Sequence, residues 1–249
     1  MSRFASTVDF YERFRAPYPA AFFEKVATAL DITPAKSLID LGTGPGLIAL
    51  GFAPYAGAIT AVDPEPAMLA LARQASVRAS RPITFVEGTA ESLPADLDPF
   101  DFVAIGRALH WMDPAPTRTV LDRLVAPGGA IAICASSTAK DGRNTWVEAY
   151  DALRVRWGHA KPDCSSKIDL PAFFAGTRFA VSEKIVVLTE QTIPAEDLVQ
   201  RILSFSSTSP AILGDRVDAV LEEARGVLTP FSEDGRITET VESTATIIR

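Results

Sequence analysis

The stretch Leu38-Ile39-Asp40-Leu41-Gly42-Thr43-Gly44-Pro45-Gly46 restricts what this chain can become more than any other part of it. An apolar run bounded by glycine reads as a buried strand, and the Leu47-Ile48-Ala49-Leu50 that follows reads as the first turn of a helix. The order is strand, glycine loop, helix. Glycine accepts φ > 0 and has no Cβ, so such a loop lets backbone approach a ligand closely. A small-molecule site is the first expectation.

The same alternation continues through the first half of the chain. Residues 8 to 30 read as helical, with a break at Pro17-Tyr18-Pro19 and a second segment from Ala21 to Leu30. Ala58 to Asp63 reads as a second strand, Ala67 to Arg78 as a helix opened by Pro64-Glu65-Pro66, and Ile83 to Val86 as a third strand. Phe100 to Ile105 is a fourth strand, Thr117 to Leu124 a helix, Pro127-Gly128-Gly129 a turn and Ala130 to Cys134 a fifth strand. Strict alternation implies a parallel sheet covered on both faces. Asp40, Asp63, Glu91 and His110 all fall just past these strand ends, where ligands of such sheets sit.

Beyond residue 136 the pattern changes. Helices are expected over Asn144 to Trp157, Ala195 to Ser204 and Asp215 to Leu228, with strands near Val181 to Leu188 and Ile237 to Ile248. The fold class expected is α/β: a Rossmann-like, seven-stranded, mostly parallel sheet with helices on both faces, a C-terminal antiparallel hairpin and an inserted helical cap. One domain is expected over 1–249: 1–30 as an N-terminal helical segment over the site, 36–135 as the cofactor-binding core, and 136–249 as the C-terminal part with cap and final strands.

Composition narrows the partners. A formal charge of −7 and a pI near 5.0, with no Lys/Arg cluster, argue against nucleic acid or an anionic membrane. Met1 to Asp9 lacks the regions of a signal peptide, and glycines and prolines interrupt the long uncharged run from Leu41 to Val62. Cys134 and Cys164 lie far apart and only two histidines are present, so neither a disulfide framework nor a metal site is indicated. The cytoplasm is the expected compartment.

Glycines at 42, 44 and 46 do not match the GxGxxG of dinucleotide binding, because Leu47 stands where the third small residue would pack. An acid two residues before the first glycine also suits a pyrophosphate poorly. Ile39 to Gly46 instead resembles the first motif of the class I, Rossmann-like S-adenosylmethionine-dependent methyltransferases. Asp63, Gly88 to Pro94, Ala108-Leu109-His110-Trp111 and Leu124 to Ala130 follow in that family's order and spacing. Tyr11, Arg15-Ala16-Pro17-Tyr18-Pro19, Ala108 to Trp111 and the Leu198 to Ser207 segment are similar to a small-molecule branch that includes trans-aconitate-methyltransferase-like (type 11) proteins. Ala16 in place of a proline and Arg107 before Ala-Leu-His-Trp depart from that branch.

The resemblance implies a cofactor, S-adenosylmethionine, with S-adenosylhomocysteine as product, and roles for named residues. Asp40 would attract the ammonium, with Gly42, Gly44 and Gly46 bringing backbone against the methionine and ribose. Asp63 would accept from the ribose hydroxyls, and Pro64 or Met68 would pack on adenine. Ala90 backbone and the side chains of Thr89 or Glu91 would lie near the adenine amino group. Arg15, supported by Tyr11, would pair with the methionine carboxylate. On the acceptor side the candidates are Tyr18, Arg107, His110, Trp111 and Trp146. His110 is the candidate general base, with a pocket-wall role as its alternative.

The expected activity is methyl transfer to a small-molecule oxygen or nitrogen, a carboxylate among the possible acceptors. A non-catalytic cofactor-binding regulator and an NAD-type oxidoreductase are the alternatives, and oligomeric state is not legible.

Overall fold

The computed structural model describes residues 14–158 and 168–249. In chain order the elements are α1 (Ala20–Ala29), β1 (Ser37–Leu41), α2 (Leu47–Phe52), β2 (Ala58–Asp63), α3 (Pro66–Ala79), β3 (Thr84–Glu87), β4 (Phe100–Gly106) and α4 (Pro114–Leu124). There follow β5 (Val125–Thr138), α5 (Val147–Trp157), α6 (Leu170–Phe173), β6 (Val181–Pro194), α7 (Ala195–Arg201), α8 (Pro210–Leu213), α9 (Val217–Leu228) and β7 (Arg236–Ile248). The expected segment over residues 8–13 lies outside the described residues.

The strands form one seven-stranded sheet in the order β3-β2-β1-β4-β5-β7-β6, mostly parallel with a C-terminal antiparallel hairpin. β1 pairs in parallel with both β2 and β4, so strand order reverses between β1 and β4. That reversal opens a crevice at the carboxyl ends of the two strands. Two expectations shift in detail. Asp40 lies inside β1, paired with Ala61 and Ala104, rather than past its end. Pro127-Gly128-Gly129, expected as a turn, is part of β5, where the register against β4 shifts between Phe100 and Phe102. The extra residues of a bulge let a Pro-Gly-Gly run stay in a strand.

The chain divides into two compact units. The first comprises residues 18–135, 168–187 and 243–249. Its strand side chains alternate between two cores, as a sheet buried on both faces demands. Leu38, Phe102, Ala104, Ala130 and Ala132 join a cluster with Phe22, Phe23 and Phe52 from α1 and α2. Ile39, Leu41, Val103, Ile105 and Ile131 join the other, with Leu121 and Leu124 from α4 and Phe173 and Phe174. α1 lies so close to α2 that a Cβ on Gly51 would meet the Phe23 ring at 2.0 Å.

The second unit comprises residues 14–17, 136–158 and 188–242. Leu153, Leu198, Ile202, Val220, Ala224 and Leu228 form its apolar core. Across it runs a buried ion pair: Arg201 of α7 donates through Nη1 and Nη2 to the two carboxylate oxygens of Glu239 on β7, at 2.5 and 3.0 Å. Thr138 of β5 and Gln191 of β6 also donate to Glu239, and Arg201 Nε donates to the Phe14 carbonyl. Burial pushes the Glu239 carboxyl upward, and Arg201, Thr138 and Gln191 together hold it below the ordinary value. Every lone pair on that fully buried carboxylate therefore has work to replace water. Glu239→Ala strands the Arg201 guanidinium and is expected to lower stability by about 3–5 kcal/mol in chemical denaturation; a change below about 1 kcal/mol would contradict this account.

Candidate functional site

The glycine loop follows β1 because only small residues satisfy its geometry. Gly42, Gly44 and Gly46 have φ of +71°, +54° and +88°, the left-handed region. A Cβ on Gly42 would stand 2.5 Å from the Ala108 Cβ, and one on Gly46 would stand 3.1 Å from the Ala72 Cβ. Around Gly44 nothing lies within 4 Å of that position. Gly42 thus ties the loop to the segment after β4, Gly46 ties it to α3, and Gly44 leaves open space for an incoming group.

Beneath the loop Asp40 is fully buried. Its Oδ2 accepts from Thr43 Oγ1 at 2.6 Å and from Ala49 N at 3.1 Å. Oδ1 is buried with no hydrogen-bond partner among the described residues. Burial pushes the carboxyl up to about 7, the bonds from Thr43 and Ala49 pull it down, and the nearby Asp63 charge adds to the upward push. Thr43 was not among the residues singled out from the sequence. Its signal was available, since a hydroxyl three residues after the acid can turn back to it.

Asp63 closes β2 and is also buried. It receives Gly44 N at 2.8 Å on Oδ2 and Glu65 N at 2.9 Å on Oδ1. Burial raises its carboxyl above the ordinary value despite those two bonds. Two buried carboxylates beside one loop repel a phosphate and favour a cation or hydroxyl donors. The unpartnered oxygen of Asp40 and the open space at Gly44 fit a ligand carrying an ammonium and a diol.

The remaining candidates are distributed unevenly. Pro64 is exposed just past β2, and Met68 is buried on α3. Thr89 caps the turn Ala90–Ser92, its hydroxyl accepting from Ser92 N at 3.2 Å. The Glu91 carboxylate accepts from Thr117 Oγ1 at 3.1 Å. Burial works upward on Glu91, but the hydrogen bonds from its own backbone, Thr89 and Thr117 outweigh it and leave the carboxyl lowered. The side-chain oxygens of this turn are thus engaged in building it.

Past β4, Arg107 has φ of +56°, a conformation rarely adopted by a residue with a side chain. Its guanidinium lies 4.9 Å from the Tyr18 ring centre. A Cβ on the adjacent Gly106 would come within 3.7 Å of the Tyr18 hydroxyl. His110 and Trp111 are exposed, their ring centres 4.8 Å apart. All these residues belong to the first unit. Arg15 and Trp146 belong to the second. There Arg15 donates to the Ser204 carbonyl at 3.0 Å and lies over the Phe205 ring. Trp146 is 2% exposed and donates to the Thr238 carbonyl, which gives it a packing role. Tyr11 lies outside the described residues. Cys134 is a buried free thiol, and no cluster of metal-ligating side chains occurs among the described residues.

The profile of a family described as a methyltransferase domain matches residues 39–133, the glycine loop through β5. An uncharacterised methyltransferase of Mycobacterium tuberculosis is 32% identical over 209 residues, covering 84% of this chain and 79% of that protein. The chain belongs to the methyltransferase family. It has the Rossmann-like fold of class I. Two solved methyltransferases share that fold, both in complex with S-adenosyl-L-homocysteine. One, from Thiobacillus denitrificans, has a TM-score of 0.59 at 17% identity, with 100% of this chain and 98% of that one covered. The other, from Geobacter sulfurreducens, has a TM-score of 0.58 at 18% identity, with the same coverage.

The Asp40 carboxyl gives this methyltransferase a defined pH signature. Its ordinary value is 3.8 and its folded value about 7. Between those values the folded chain keeps a proton that the unfolded chain has released, so this group's contribution to stability falls as pH rises and levels off above about 7. Asp40→Asn removes the contribution. Relative to wild type, the variant is expected to gain about 1 kcal/mol or more in denaturation experiments between about pH 5 and pH 8. A pH-independent difference would contradict the assignment.

Proposed function

We propose that this methyltransferase transfers the methyl group of S-adenosylmethionine to a small-molecule acid, with a carboxylate oxygen as the acceptor. The observation that carries the cofactor assignment is the fully buried Asp40 carboxylate, whose Oδ1 has no partner beneath an open glycine loop. When bound, the cofactor supplies an electrophilic methyl on a sulfonium, which passes to the acceptor by in-line displacement and leaves S-adenosylhomocysteine.

The work of the chain is binding and alignment. Asp40 holds the ammonium, directly or through one water. Asp63 keeps lone pairs for the ribose diol while its bonds from Gly44 and Glu65 fix its orientation, and hydrogen bonds to a charged acceptor contribute roughly 1.5–3 kcal/mol each. Pro64 and Met68, at the end of β2 and the start of α3, suit the adenine side. Alignment of two reactants can supply roughly 7–11 kcal/mol of a displacement barrier, so no further chemical group is required of an enzyme whose acceptor is already anionic.

Arg107 supports the acceptor assignment. Its strained backbone and its placement over Tyr18 hold a cation beside Gly106, at the carboxyl end of β4. A cation there favours an acidic acceptor. The acidic net charge disfavours nucleic acid, and no helix among the described residues is long and apolar enough to cross a membrane. A cytoplasmic enzyme working as one domain over residues 1–249 is the reading we adopt. His110, exposed and tilted against Trp111, then acts as a wall for the acceptor rather than as a base.

Turnover with a panel of carboxylic acids, amines and phenols tests the assignment. Methyl-ester formation with an acid is expected, and His110→Ala should change kcat/KM by less than about tenfold, because a carboxylate needs no proton removed. A loss of roughly 100-fold or more, with turnover confined to amines or phenols, would restore His110 as general base and overturn the carboxylate reading.

A further inference from the structure

Among the described residues β6 is an outer strand of the sheet, with β7 on one side of it and no further strand on the other. Such an edge offers unpaired backbone groups to any second strand. Of the seven large apolar side chains that stand exposed among the described residues, three lie on β6: Val181, Val186 and Leu188. Along the middle of the strand the even positions are exposed: Lys184, Val186, Leu188 and Glu190. Odd positions turn inward, with Ile185 buried in the core beneath α1 and Gln191 donating to Glu239.

The four exposed residues read as a self-complementary series about Val187. Placing a second β6 antiparallel, with a two-fold axis at Val187, sets Val186 opposite Leu188 twice at the centre. Lys184 then stands opposite Glu190 on each side of the axis. Directly opposite side chains of an antiparallel pair lie about 4.5–5.5 Å apart at Cβ, close enough for both the apolar contact and the ion pair. Moving the axis to Val186 sets Lys184 opposite Leu188. Moving it to Leu188 sets Val186 opposite Glu190. Both alternatives oppose a charge to an apolar side chain, so one register is selected.

The Val186 carbonyl accepts from Lys25 of α1 at 3.1 Å, so the backbone beside the axis is within reach of a group from outside the β6–β7 pair. Lys25 is a long, solvent-exposed cation that can release Val186, and lysine over an edge is a common guard against indiscriminate pairing. Neither Lys184 nor Glu190 has an ion-pair partner among the described residues, so both charges are available to a second chain.

We propose that two copies of this chain associate through β6, antiparallel about Val187, with Lys184 of each copy paired to Glu190 of the other. The occupant of the edge is a second copy because the charge order along the strand complements itself.

Sedimentation equilibrium at low ionic strength tests this with a charge swap. Wild type is expected to dimerise, and K184E and E190K, which each oppose like charges, are expected to weaken the dimer at least tenfold. The double variant K184E/E190K restores opposite charges and should recover the wild-type constant. All three carry substitutions at exposed positions, so their thermal midpoints should match wild type. A monomeric wild type, single variants that dimerise as tightly as wild type, or a double variant that stays monomeric would each overturn the proposal.

Discussion

A carboxylate with an unsatisfied oxygen inside a protein is costly, and Asp40 is held in that state by three strands. It sits in β1 between Ala61 of β2 and Ala104 of β4, so neither neighbour offers a polar side chain. Thr43 and Ala49 satisfy one oxygen from the loop and helix that follow. The other is left with desolvation and the field of Asp63, which together hold the carboxyl near neutrality. The glycine loop, the strands on either side of β1 and the close approach of Ala108 to Gly42 surround that oxygen and keep it from water. A buried group that titrates around pH 7 is poised to exchange its proton for a cationic ligand.

Much of this was legible in the sequence because it is local. An acid followed by alternate glycines places the carboxylate, the left-handed turns and the following helix within about ten residues, and Asp63 is marked by its own strand end. The apolar runs that became β1 to β5 alternate faces in the way their burial requires. What was not legible depends on distant pairing. Arg201 and Glu239 are separated by 38 positions, and nothing in either neighbourhood announces that they meet at full burial. Trp146 looked available for an acceptor, whereas its burial is set by α5, α7 and α9 together. Thr89 and Glu91 carried the right atoms, but the geometry of one short turn engages their oxygens in Ser92 and Thr117. Pro127-Gly128-Gly129 shows the converse, a local turn signal overridden by strand pairing.

The division of labour along the chain follows from the same contrast. The glycine loop, Asp63 and the segments after β3 and β4 lie in the unit built on the parallel strands, where they converge because strand ends converge. Residues 136–158 and 188–242 carry no comparable glycine-and-acid signature, and the unit they belong to is organised by a buried charge pair and an apolar core. A family can therefore share its cofactor chemistry while its members differ in what they methylate, since the second depends on side chains that no short pattern encodes.

The central claim is that Asp40 gives up its proton to a cofactor ammonium. Calorimetric titration with S-adenosylhomocysteine in buffers of different ionisation enthalpy measures that directly, as protons released per ligand bound. Near pH 6, where Asp40 is largely protonated in the free protein, wild type should release close to one proton; the release should vanish above about pH 8 and be absent from Asp40→Asn. Proton-neutral binding at pH 6, or an equal release from the Asp40→Asn variant, would contradict the account.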